Sequence, residues 1–217
     1  MFRIKICGIT SVEDALLAAE AGADAIGINF YERSPRYVTT ERAKEICKAL
    51  PKGVAKVGVF VNSLPKGVLA IAERVGLSAV QLHGDERPEF LASLGNLPVI
   101  KAFRCRESTL NSVRAFLKLC PAATHPVAVL VDAHAPGTYG GTGQVLDWPR
   151  LREEKENLSG LPLILAGGLT PENVAEAIRI AQPDAVDTAS GVETSPGCKD
   201  PAKVRDFVTA AKSATWA

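Results

Sequence analysis

Short apolar runs recur along the chain, separated by longer stretches in which alanine and aliphatic residues repeat at helical spacing. The first run, RIKIC at 3–7, alternates: Ile4 and Ile6 look for apolar neighbours while Lys5 and Cys7 face the other way. A glycine then breaks the strand, and Thr10 stands where a helix can begin. The same punctuation continues to the C-terminus. It predicts strands at 3–7, 25–29, 55–61, 79–82, 99–103, 127–132, 163–166 and 185–188. It predicts helices at 11–21, 40–50, 64–75, 87–94, 109–119, 148–155, 171–181 and 201–212.

Two stretches repeat each other. CGITSVEDALLAAEAGADAIGI at 7–28 aligns with GGLTPENVAEAIRIAQPDAVDT at 167–188. Both pass from a glycine and a threonine through an alanine-rich helix to Asp-Ala and a new apolar strand. The interval from Thr10 to Asp24 equals that from Thr170 to Asp184. Thr10 and Thr170 are of a preferred N-cap type, and Pro171 suits a first helical turn. A recurring βαβ unit implies a parallel sheet. Eight strands alternating with eight helices, without a compositional break, predict an α/β fold of the (β/α)8 TIM-barrel type, with 1–217 as one domain. The runner-up is an open doubly wound sheet, which usually has fewer units and a switch point.

Composition narrows the function. The chain has 217 residues, 47% hydrophobic and 23% charged, with a net charge of +1. No basic stripe points to nucleic acid and no long apolar run to a membrane. The start has no signal-peptide pattern. The five cysteines (Cys7, Cys47, Cys105, Cys120 and Cys198) form no C-x-x-C pair, which fits free thiols in a reducing cytoplasm. Asn157-Leu158-Ser159 fits a glycosylation sequon, which without a secretory signal reads as chance. His83, His125 and His134 show no metal-ligand spacing, and nothing calls for a flavin or nicotinamide, so the expected cofactor count is none.

In a barrel, function collects where strands end and βα loops begin. Those positions hold 7–10, 29–37, 61–62, 83–85, 104–106, 132–143, 167–168 and 190–193. The glycines of LAGGLT and TASGVE allow a ligand close to the backbone, so Gly167, Gly168, Ser190 and Gly191 are the candidate phosphate site. The bland alternative is that they only make tight turns. DAHAPGTYGGTG at 132–143 fails the P-loop pattern and reads as a lid or as a plain connection. Asp132 ends an apolar run at the rim, where a carboxyl in a dry site can hold its proton and act as an acid. Cys7 shares a strand face with Lys5, a cation expected to stabilise its thiolate, and a thiolate can act as a base. Their structural alternatives are a loop-capping carboxylate and a small buried hydrophobe. Arg36 can grip a carboxylate or phosphate with its fork, or serve as a rim ion pair. His83 is a proton shuttle or a structural histidine. Lys5, Lys101 and Asp187 alternate inward and are expected to pair inside the barrel, with Asp187 near enough to the mouth to touch a ligand.

Six motifs occur in order: KICGIT, SPRYV, VQLHGDE, GGTGQVLDW, LAGGLTPENV and ASGVETSPGCKD. Together they closely resemble the phosphoribosylanthranilate isomerase family over essentially the whole chain. The resemblance implies an Amadori rearrangement of N-(5'-phosphoribosyl)anthranilate, the third step of tryptophan biosynthesis from chorismate, on a small-molecule substrate without a cofactor. It implies Cys7 as general base and Asp132 as general acid. It places Arg36 toward the anthranilate carboxylate, Asp187 and His83 near the substrate, and the phosphate on the last two loops. The stretch after Asp132 departs locally from the family and leaves lid contacts open. Two other readings stand beside this one. A related phosphate-binding barrel such as indole-glycerol-phosphate synthase would look for a lysine acid at the mouth. A barrel that only binds a phosphorylated ligand gives no reason for a thiol facing a carboxyl. A monomer or a homodimer fits the sequence equally.

Overall fold

The computed structural model describes residues 2–105, 109–133, 147–158 and 160–216. Eight parallel strands close into a barrel in chain order: β1 (Ile4–Ile6), β2 (Ala25–Asn29), β3 (Ala55–Phe60), β4 (Ala79–Leu82), β5 (Val99–Cys105), β6 (Ala128–Ala133), β7 (Leu163–Leu165) and β8 (Ala185–Thr188). β8 returns to β1 with Lys5 opposite Asp187. Helices follow each strand: α1 (Val12–Ala21), α2 (Thr40–Ala49), α3 (Pro65–Val75), α4 (Pro88–Ala92), α5 (Thr109–Leu119), α6 (Trp148–Glu154), α7 (Val174–Ala181) and α8 (Pro201–Ser213). Strand ends differ from the sequence expectation by at most two residues. α4 is shorter than 87–94, and α7 begins three residues after 171.

The internal repeat has a structural basis at the base of the barrel. The Asp24 carboxylate accepts from the backbone N–H groups of Arg3 and Ile4, at 3.0 and 2.9 Å. Asp184 does the same for Leu163 at 2.8 Å. Each aspartate ties the strand that follows its helix to the start of the strand before that helix, satisfying edge donors. The capping expectation fails in both copies. Ser11, not Thr10, caps α1 by accepting from Asp14 N–H at 3.0 Å. The Thr10 hydroxyl instead donates to the Gly197 carbonyl at 2.6 Å. Thr170 precedes a turn in which its N–H donates to Asn173 Oδ1 at 2.8 Å, and Asn173 is the residue before α7.

Two apolar layers make the core. One lies between sheet and helices, and includes Ile6, Ile26, Leu82, Val131, Leu165 and Phe207. The second fills the barrel interior with smaller residues such as Ala25, Val57, Ala102, Leu130, Ile164 and Ala185. Lys5, Gln81 and Asp187 are also buried, and they form a polar layer within the barrel. A hairpin that periodicity did not predict, β9 (Glu193–Ser195) with β10 (Cys198–Lys199), sits between β8 and α8. Cys47 and Cys120 are buried free thiols, whereas Cys198 is exposed. Among the described residues, no helix is long and apolar enough to cross a membrane.

Candidate active site

A cavity opens at the C-terminal ends of the strands, holding about 770 Å³ of space with its mouth included. All nine residues picked out from the sequence line it: Cys7, Arg36, His83, Asp132, Gly167, Gly168, Asp187, Ser190 and Gly191. They come from six different strands or the loops after them, which is how a barrel assembles a site. The expected lid at 132–143 lies outside the described residues from 134 onward, as do Arg106 and Ser159.

Cys7 follows the last residue of β1, and its N–H donates to the Thr188 carbonyl at 2.8 Å. Gly27 on β2 makes room for it: a methyl group there would sit 2.5 Å from Cys7 Sγ. Below it the Lys5 ammonium, fully buried, lies 2.8 Å from Asp187 Oδ1 and 3.0 Å from Gln81 Oε1. Burial pulls Lys5 down, but the charge of Asp187 and then of Cys7 outweighs it and holds the ammonium above its usual value. Asp187 is pushed up by burial, which Lys5 offsets in part and Asp132 reinforces.

Burial opposes the Cys7 thiolate, although Lys5 favours it as expected. Burial raises its thiol above the ordinary value, and the attraction of Lys5 does not reverse this, with Asp187 adding to the rise. Charge attraction to a cation loses here to the cost of placing an anion in a dry site beside a carboxylate.

Lys101 does not join Lys5 and Asp187. Its ammonium turns to Glu86 at 2.9 Å and to the carbonyls of Gly84 and Leu82 at 2.8 and 3.3 Å. Glu86 in turn accepts from the N–H groups of Asn62 and Gly84. This cluster holds the turn after β4, which carries His83, and leaves no lysine at the mouth from β5. His83 Nδ1 lies 2.8 Å from Gln81 Nε2, and His83 Nε2 lies 3.3 Å from Asp132 Oδ2.

Arg36 makes a two-point fork to Glu193, through Nε at 2.9 Å and Nη2 at 2.6 Å. Arg36 also lines the cavity. The hydrogen bond to Glu193 holds the guanidinium above its usual value, against the cost of burial. Glu193 also accepts from the buried ammonium of Lys199 at 2.8 Å. Burial raises Glu193, but Arg36 and Lys199 together bring it below the usual carboxylate range. Lys199 is lowered because burial exceeds what Glu193 restores. Gly8, with φ +73°, stands where any side chain would strike the Arg36 stem. The Ser34 hydroxyl accepts from Arg36 N–H at 3.1 Å and so shapes the same loop.

At the other side of the mouth, Gly167 and Gly168 both have positive φ, at 86° and 67°. The Gly168 carbonyl accepts from Asn173 Nδ2 at 2.9 Å, and the Leu169 carbonyl from the Thr188 hydroxyl at 2.7 Å. Gly167, Gly168 and Leu169 line the cavity at this side. Gly191 packs against the Leu169 carbonyl so closely that a methyl group would collide with it.

Sequence reasoning gave no role to three buried polar residues. Gln81 sits two positions before His83 on one strand face, a spacing visible in VQLHGDE. Glu193 and Lys199 lie in ASGVETSPGCKD, where the hairpin that joins them was not recognised. Among the described residues, no three His, Cys, Asp or Glu side chains gather as a metal site requires.

The chain also matches known proteins along nearly its whole length. The family model for N-(5'phosphoribosyl)anthranilate (PRA) isomerase matches residues 4–210. The N-(5'-phosphoribosyl)anthranilate isomerase of Geobacter sulfurreducens is 49% identical over 213 residues, covering 98% of this chain and 99% of that one. The crystal structure of phosphoribosyl anthranilate isomerase from Thermotoga maritima is similar with a TM-score of 0.87 at 41% identity, over 98% of this chain and 99% of that one. A phosphoribosyl anthranilate isomerase in complex with reduced 1-(o-carboxyphenylamino)-1-deoxyribulose 5-phosphate gives 0.84 at 39% identity, with the same coverage.

Proposed function

The chain belongs to the N-(5'-phosphoribosyl)anthranilate isomerase family, and we propose that Cys7 and Asp132 carry out the acid–base steps of its reaction. It isomerises N-(5'-phosphoribosyl)anthranilate in tryptophan biosynthesis. The observation that supports the residue roles is the convergence of nine sequence-selected positions on one cavity at the catalytic face of the barrel.

Asp132 gives its proton to the furanose ring oxygen. The bond from that oxygen to C1 breaks as the anilino nitrogen lone pair forms a C=N bond, leaving a protonated Schiff base. Cys7, as the thiolate left once its own proton has passed to solvent, then removes the proton from C2. The C2–H electrons become a C1=C2 bond and the C=N pair returns to nitrogen, giving a neutral enolamine. Protonation at C1 and loss of the C2 hydroxyl proton complete the aminoketose. A thiol raised above its usual value is a strong base once ionised, and the cationic Schiff base supplies the attraction that Lys5 alone does not. The amides around Gly167, Gly168, Ser190 and Gly191 take the phosphate, and Arg36 takes the anthranilate carboxylate.

The Asp132→Asn variant tests the acid. Loss of about 10²–10⁴ in kcat, followed by anthranilate fluorescence, is the expected result. A variant that keeps the wild-type kcat excludes Asp132 from the role.

A further inference from the structure

Lys5, Gln81, His83 and Asp132 stand in one line that crosses the interior of the barrel to its mouth. Lys5 Nζ donates to Gln81 Oε1 at 3.0 Å. Gln81 Nε2 meets His83 Nδ1 at 2.8 Å, with Gln81 only 2% exposed. His83 Nε2 is buried 3.3 Å from Asp132 Oδ2, without the alignment of a hydrogen bond in the resting site.

The direction of each bond follows from what each group can do. An ammonium only donates, so the Gln81 atom facing Lys5 is the oxygen. That turns the amide nitrogen toward His83, and an amide nitrogen also only donates. Nδ1 must then accept. The ring carries its hydrogen on Nε2, the atom facing Asp132. A second ring proton would set N–H against N–H across 2.8 Å. Gln81 cannot rotate to relieve this without turning its own N–H groups on the Lys5 ammonium.

We propose that Gln81 is a positioning residue that fixes His83 as the neutral Nε2–H tautomer and so keeps the Asp132 proton available to the substrate. The opposite tautomer would offer Asp132 a lone pair, and the carboxyl proton would be spent on His83. With the hydrogen on Nε2, His83 cannot take that proton. It instead donates to the carboxylate that remains after Asp132 has protonated the ring oxygen. The consequence for catalysis rests on Asp132 as the acid, whereas the tautomer itself does not.

The test uses the full chain labelled with ¹⁵N-histidine, read by two-bond ¹H–¹⁵N correlation near neutral pH. A His83→Asn variant identifies the His83 signals. The expected pattern is a bare Nδ1 and a protonated Nε2. In the Gln81→Glu variant the carboxylate still accepts from Lys5 but has no hydrogen for Nδ1, so the ring proton moves to Nδ1. Its kcat falls roughly tenfold or more, the scale of a disturbed proton transfer, with KM little changed. A Gln81→Met variant, of similar length, gives a mixture of tautomers and serves if the glutamate variant does not fold. A wild-type Nδ1–H or a doubly protonated ring overturns the proposal. So does either Gln81 variant that keeps Nε2–H as its one form. The spectra need no turnover. If Asp132→Asn keeps its kcat, the acid assignment fails while the spectra still decide the tautomer.

Discussion

Exchanging Lys5 for Met keeps the length and apolar stem of the side chain and removes its charge. The ammonium is fully buried and bonded to Asp187 and Gln81, at 2.8 and 3.0 Å. In the variant Asp187 keeps its burial and loses its counter-ion. Breaking a buried pair from one side costs about 3–5 kcal/mol. A whole domain of ordinary stability holds about 5–15 kcal/mol, so the loss takes a large share of it. With a urea slope of about 3 kcal/mol per molar, the unfolding midpoint falls by about 1–1.7 M. Asp187 already sits above the usual carboxylate range through burial, and loss of Lys5 pushes it further. A carboxyl raised in the folded state binds its proton more tightly there than in the unfolded chain. The deficit of the variant is therefore largest at neutral pH and shrinks as the pH falls and Asp187 is protonated. The Lys5→Met/Asp187→Asn double variant recovers part of the loss, because the unpaired charge is gone. Urea unfolding of wild type, both single variants and the double variant, across pH, gives the comparison. A Lys5→Met loss below about 1 kcal/mol, the scale of an exposed ion pair, would refute the reasoning.

Three further outcomes follow. Glu193→Gln weakens the fork on Arg36 and leaves that guanidinium and the Lys199 ammonium with less counter-charge; steady-state kinetics should show a KM for the substrate raised by roughly tenfold, as when one charged contact to a ligand is disturbed, and an unchanged KM would remove Arg36 from binding. Gly27→Ala places a methyl group 2.5 Å from Cys7 Sγ and 3.0 Å from its Cα, so Cys7 must shift; we expect a stability loss of about 1–3 kcal/mol from overpacking and a fall in kcat, checked by urea unfolding and turnover. Burial pushes the Cys47 thiol from 9.0 to about 11. The folded state thus holds this proton more tightly than the unfolded one, a contribution intact below pH 9.0 and lost as pH rises toward about 11. Cys47→Ala should flatten the decline of the unfolding midpoint across that window, and an identical pH profile would contradict the assignment.

The barrel was legible because its signal is local and repeated: apolar runs of strand length, then helical spacing, with an aspartate at the same place in two copies. The site positions were legible for a related reason. Once eight βα units are counted, topology alone puts every strand end on one face, so Cys7, His83, Asp132 and Asp187 fall together without knowledge of any contact. Partners were harder. Arg36 is held by Glu193, 157 positions away, through a hairpin with strands too short to show a period. Lys101 has the inward phase of Lys5, yet Glu86 from the neighbouring loop captures it. Thr10 has a capping side chain but spends it on Gly197, leaving the role to its neighbour Ser11. The state of the Cys7 thiol depends on burial set against several charges, and pattern gives neither quantity.

The most direct test of the account is the kcat of Cys7→Ala on N-(5'-phosphoribosyl)anthranilate, measured beside its affinity for reduced 1-(o-carboxyphenylamino)-1-deoxyribulose 5-phosphate. A kcat lower by about 10²–10⁴ is expected, with analogue affinity near that of the wild type, because a base is lost and the binding loops remain. A Cys7→Ala enzyme with nearly full turnover would contradict it, and the proton at C2 would then leave by another route.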